Sequence, residues 1–87
     1  MTTSVFLDSY IHDLAADPSA EVCGREARLR LVQWLRARQG WHNPAVFRNL
    51  LHSVYTGQMM ATGISSAPGL ALELLQRWDG RAATSPP

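Results

Sequence analysis

Residues 17–40, DPSAEVCGREARLRLVQWLRARQG, decide how the rest of the chain is read. Asp17 can accept hydrogen bonds from free backbone N–H groups, and Pro18 suits the first helical position because its missing N–H would be unbonded there anyway. Gly40 suits the left-handed residue just beyond a helix, with Arg36 and Arg38 near the negative end of the dipole. The stretch predicts a helix over 18–39. At about 100° per residue, Ala20, Cys23, Ala27, Leu31, Trp34 and Leu35 share one side, which should face the core. Val22, Arg25, Leu29, Val32 and Arg36 share the roughly opposite side, where aliphatic residues are framed by guanidinium groups. A bundle helix needs one apolar stripe, so this second stripe is expected to form a protein interface.

Toward the N-terminus, Ser4 is expected to cap a helix over 4–16, with Val5, Phe6, Tyr10, Ile11 and Leu14 inward and Asp8 and Asp13 outward. His12 is spaced to pair with Asp8. Beyond Gly40, Trp41 is too large to stand exposed and should plug one end of the core. Asn43-Pro44 then opens a third helix over 44–56. Val46, Phe47, Leu50, Leu51, Val54 and Tyr55 follow at helical spacing, and Gly57 ends it. A last helix over 67–79 is capped by Ser65 or Ser66, carries Pro68 in its first turn and stops at Gly80. Within it Glu73 and Arg77 have the spacing of a helical ion pair. Room remains for a short extra turn at 58–62. Gly24, inside the second helix, marks a close helix crossing or a flexible point. The predicted fold is all-α: a compact bundle of four helices, one domain over 1–80, and a disordered tail over 81–87.

Composition narrows the function classes. Eighty-seven residues make one domain whose core is only just sufficient, and 46% apolar against 17% charged residues marks a folded chain. One Cys excludes an internal disulfide. No apolar run is long enough to span a bilayer and no leader pattern opens the chain, so a cytoplasmic setting without membrane contact is expected. The net charge of +1 conceals a gradient. Residues 1–21 carry Asp8, Asp13, Asp17 and Glu21; residues 22–48 carry six Arg against Glu26. An acidic first helix beside a basic second one is the simplest arrangement.

No catalytic constellation is found, and no cofactor or metal site. His12, His42 and His52 lie on different segments without the spacing of a helical zinc pair. Cys23 has no local His partner and is expected to be an inert buried thiol. The five Arg of the central helix spread around most of its circumference, which suits a solvated face better than a phosphate-binding stripe.

One weak pattern remains. Met59, Gly63, Ile64 and Ser65 resemble the turn of helix-turn-helix DNA readers at four of about twenty positions. That resemblance implies a recognition helix with polar residues near its start. The helix that follows instead offers Ala67, Pro68, Gly69, Leu70 and Ala71, which cannot read base edges by hydrogen bonds. The expected function is therefore a non-enzymatic protein–protein interaction or regulatory module, acting through a helical surface and self-associating as a homodimer. Its expected interface is Val22, Arg25, Leu29, Val32 and Arg36. A helix-turn-helix DNA-binding transcriptional regulator using residues 58–78 is the second reading.

Overall fold

The structure, a computed structural model, describes residues 2–16, 22–64 and 66–84, the side chains of 22, 23 and 82–84 excepted. Four helices make it up: α1 (Thr3–Ala16), α2 (Val22–Arg36), α3 (Pro44–Thr56) and α4 (Ala67–Thr84). No strand occurs among the described residues. The predicted all-α bundle of four helices is the fold.

α3 forms with the predicted bounds because both ends carry strong local signals. The Asn43 side-chain oxygen accepts from the backbone N–H of Ala45 at 2.9 Å and of Val46 at 3.5 Å, and Pro44 occupies the first turn. At the far end Gly57 turns left-handed, with φ 80°, a conformation that a Cβ would penalise. Its N–H donates to the Val54 carbonyl, and the N–H of Met59 reaches back to Ser53. The apolar side of α3 lies along α4. Phe47 meets Trp78 edge-on at 5.2 Å, and Arg48 holds Asp79 through two hydrogen bonds of 3.0 and 3.1 Å. At the opposite end Val54 approaches Ala67 and Pro68. The start of one helix therefore faces the end of the other, and the pair is antiparallel.

α1 closes the core over this pair. Phe6 sits edge-on to both Phe47 and Trp78, with centroids 5.9 and 5.1 Å away. Such ring pairs add roughly 0.5–1.5 kcal/mol beyond the area they bury. The Thr3 hydroxyl is buried and donates to the His42 carbonyl at 3.1 Å, tying the start of α1 to the α2–α3 connection. Trp41 is half-buried against the same core, at the end where it was expected.

Four boundaries depart from expectation, each for a local reason. α1 begins at Thr3, because the Thr2 hydroxyl rather than Ser4 accepts from the N–H of Val5 at 3.1 Å. α2 ends at Arg36. Ala37 shares its N–H between the Gln33 and Trp34 carbonyls, Arg38 bonds Leu35, and this tightening stops the helix before Gly40. Gly40, with φ 80°, shapes the connecting turn instead of capping the helix. Over 58–62 no helical turn forms. The chain runs as a loop with a turn closed by the Ile64 N–H on the Ala61 carbonyl. α4 does not stop at Gly80 but continues to Thr84. Arg81 anchors that extension, with its guanidinium 5.3 Å from the Phe6 ring and 3.4 Å from the Ser9 hydroxyl. α4 thus takes in residues 81–84 of the stretch expected as a tail, and 85–87 lie outside the described residues. Asp17, Pro18, Ala20 and Ser65, named above as caps or core positions, also lie outside them.

Candidate functional site

α2 presents one buried arc and not two faces. Leu31 and Val32 are both buried, at 0% and 1% exposure, although consecutive residues stand about 100° apart. Leu35 falls between them and is also fully buried. The helix is thus rotated from the orientation its pattern suggested, and the core enters between the two predicted stripes. Ala27 and Trp34 are moved to the flank, half-buried. Val32, placed above in a docking face, is a core residue and cannot meet a partner. Leu29 is half-buried, and Arg36 is drawn to Asp8 of α1 at 2.6 Å. Arg25 is half-buried beside them, and the Val22 side chain lies outside the described residues. The four described residues do not assemble into an exposed apolar face.

Beside the buried arc α2 makes a polar contact that hydrophobic spacing does not reveal. Arg28 lies on the inward arc and grips Glu73 of α4 with two hydrogen bonds, Nε to Oε2 at 2.9 Å and Nη2 to Oε1 at 3.1 Å. The Tyr10 hydroxyl of α1 donates to the same Oε2 at 2.6 Å. Three helices meet at one carboxylate. Hydrogen bonding from Arg28, with help from Tyr10, holds the Glu73 carboxyl below its usual range against the opposing effect of burial. Burial and the bond to Glu73 raise the Tyr10 hydroxyl well above the ordinary phenol range. Arg77, expected to pair with Glu73, instead sits 5.2 Å over the Tyr10 ring. Asp8, expected beside His12, is engaged by Arg36.

Gly24 supplies the room for this node. A Cβ there would stand 2.8 Å from Nη1 of Arg28, so the guanidinium passes over the space a side chain would fill. No other helix crosses close to Gly24, though one reading of the sequence expected it; the approaching group belongs to the next turn of the same helix. Cys23 lies outside the described side chains.

The exposed apolar surface is elsewhere, at the end of the α3–α4 hairpin. A cleft of about 260 Å³ opens there, lined by Val54, Met59, Ile64, Ala67 and Pro68, with Met60 at its rim. Met60 is 81% exposed and Met59 36%. Residues 49–72, which include this whole end, contain no Asp, Glu, Lys or Arg. The adjacent methionines inside an uncharged, Gly-punctuated loop were the signal available in the sequence. That signal has no helical period, so a search for amphipathic stripes does not register it.

Residues 58–78 do not take the helix-turn-helix geometry. Helix-turn-helix helices cross at about 90–120° through a turn of three or four residues. Here α3 and α4 run antiparallel along their length, and Leu70, Ala71 and Leu74 are buried on the near side of α4. Among the described residues, no group of three His, Cys, Asp or Glu converges on one point, and no helix is long and apolar enough to cross a membrane. Comparison of the chain with protein-family models, curated proteins and solved structures returns no match.

Proposed function

We propose that this chain is a non-enzymatic protein-interaction module of the cytoplasm, and that it docks through the uncharged end of its α3–α4 hairpin. The observation that carries the reading is Met60, 81% exposed beside an apolar cleft and the most exposed large apolar side chain among the described residues. Contiguous apolar surface of this kind is stabilised when a partner removes it from water. Methionine suits such a surface because its unbranched, polarisable side chain adapts to varied contours. The ionisable groups with displaced acidity support a non-catalytic role. Tyr10, Arg28 and Glu73 satisfy one another, and that leaves no free acid or base among the three. Absence of charge over 49–72 argues for an apolar protein partner and against nucleic acid, whose phosphates are held by Lys and Arg.

A photoreactive methionine analogue placed at position 60, in the cells that make the protein, tests the reading. Discrete protein adducts are expected from position 60 and not from position 30 on the exposed side of α2. Equal adduct patterns at both positions, or none at either, would overturn it.

A further inference from the structure

Resting on the docking reading just given, we infer that Met60 is an oxidation site that switches that surface off: peroxide converts its thioether to a sulfoxide, and the sulfoxide turns an apolar partner away. Met60 is 81% exposed, against 36% for Met59, and an accessible sulfur is the first that an oxidant meets. Neither methionine belongs to the buried core cluster, so an oxygen added to Met60 leaves the packed interior as it is. In the reaction the sulfur gives an electron pair to one oxygen of hydrogen peroxide. The S–O bond forms as the O–O bond breaks, and the proton on the transferred oxygen goes to the departing hydroxide, giving water. Sulfur loses two electrons and the peroxide gains them. A methionine sulfoxide reductase reverses the step: two thiols become a disulfide and the oxygen leaves as water.

The surroundings make one oxygen matter. Val54, Ile64, Ala67 and Pro68 line the cleft beside Met60, and no described residue lining it carries a side-chain hydrogen-bond donor. Residues 49–72 hold no Lys or Arg. A sulfoxide oxygen pressed into a contact here gives up its bonds to water, and no lining side chain replaces them, which burial penalises. The thioether makes no such demand. The lack of polar groups that favours docking therefore makes the surface sensitive to oxidation.

Peroxide treatment of the purified full chain, read by peptide mass spectrometry and far-UV circular dichroism, tests the chemistry. Met60 is expected to gain one oxygen at least about threefold faster than Met59, with helicity unchanged and with reversal by a methionine sulfoxide reductase. Docking is read in the cells that make the protein, with the photoreactive methionine analogue moved to position 59, which also lines the cleft. A peroxide pulse is expected to reduce the discrete adducts about tenfold. Met60→Leu, apolar but without sulfur, should keep its adducts through the pulse, and Cys23→Ala should lose them as the wild type does. Faster oxidation of Met59, adducts that survive conversion of Met60, equal loss in Met60→Leu, or a response abolished by Cys23→Ala overturns the inference and leaves the docking reading standing. Absence of adducts from both positions before the pulse removes the docking reading, and the switch with it, whatever the order of oxidation.

Discussion

The α3–α4 hairpin and α2 are held in the same core by different means. Along the hairpin, apolar side chains at helical spacing meet a partner helix that follows in sequence, and rings such as Phe47 and Trp78 interlock. α2 contributes Leu31, Val32 and Leu35 to the core and adds guanidinium groups that reach across to Glu73 and Asp8. The difference teaches that an amphipathic pattern gives a helix its existence more securely than its angle about its own axis. Where one apolar stripe is present, it points at the core. Where apolar residues stand on two sides, the core can enter between them, and long charged side chains at its border find acceptors on neighbouring helices.

The largest effect expected from breaking this comparison lies in the hairpin. Phe47→Ala removes a fully buried ring that touches both Phe6 and Trp78, and should destabilise the fold by about 3–5 kcal/mol in urea unfolding. Glu73→Gln should cost less, about 1–3 kcal/mol, because it weakens charge-assisted bonds at a site only partly removed from water. A Phe47→Ala protein as stable as wild type would show that the aromatic seam is not what holds the hairpin.

The polar node should also be visible in pH dependence, on both sides of neutrality. The Glu73 carboxyl ionises more readily folded than unfolded, so its contribution is present above the unfolded carboxylate range and is lost as pH falls through and below it. Tyr10 is shifted the other way. Its contribution is complete below the unfolded phenol pKa of about 10 and declines as pH rises beyond that point. Tyr10→Phe should flatten the alkaline decline in a series of thermal melts, and Glu73→Gln should shrink the acid one. Curves identical to wild type would mean the node does not couple to folding.

Gly24→Ala gives a smaller and more discriminating test. Helix propensity alone favours Ala by about 1 kcal/mol, but the added methyl group lies where Nη1 of Arg28 passes. The two effects oppose, so little or no gain is expected in the wild type. In an Arg28→Ala background the obstruction is gone and the full gain should appear. A gain of equal size in both backgrounds would mean that Gly24 does not make room for the Arg28 guanidinium. Smallest of all is Arg48→Ala at the exposed end of the hairpin. Its paired oxygens on Asp79 lie open to solvent, and thermal melting should scarcely register the loss.

Most of the fold could be read from the chain because its signals are short-range. Asn43, Pro44 and Gly57 bracket α3 through bonds within a few residues, and those bounds needed no tertiary information. The misreadings share a different origin. Glu73 stood four residues before Arg77 and was paired with it by proximity, yet its partners are Arg28 and Tyr10, 45 and 63 positions away. Gly80 looked like a stop, but the contacts of Arg81 with α1 carry the helix past it. Val32 looked like surface only while α2 was assumed to face the core through Ala27 and Trp34. The apolar cleft left only an indirect trace, the adjacent methionines of an uncharged loop, because it arises where a loop folds across two helix ends and no periodic pattern encodes that.

Ser66 enters α4 with φ 58°, a left-handed backbone that a residue other than glycine adopts at some strain. Gly57 and Gly63, at 80° and 81°, share that left-handed region, so positive φ angles stand on both sides of Met59 and Met60. Neither glycine has another heavy atom within 4 Å of where a Cβ would sit. Replacing either by alanine should therefore cost stability through the backbone alone, with no side chain displaced.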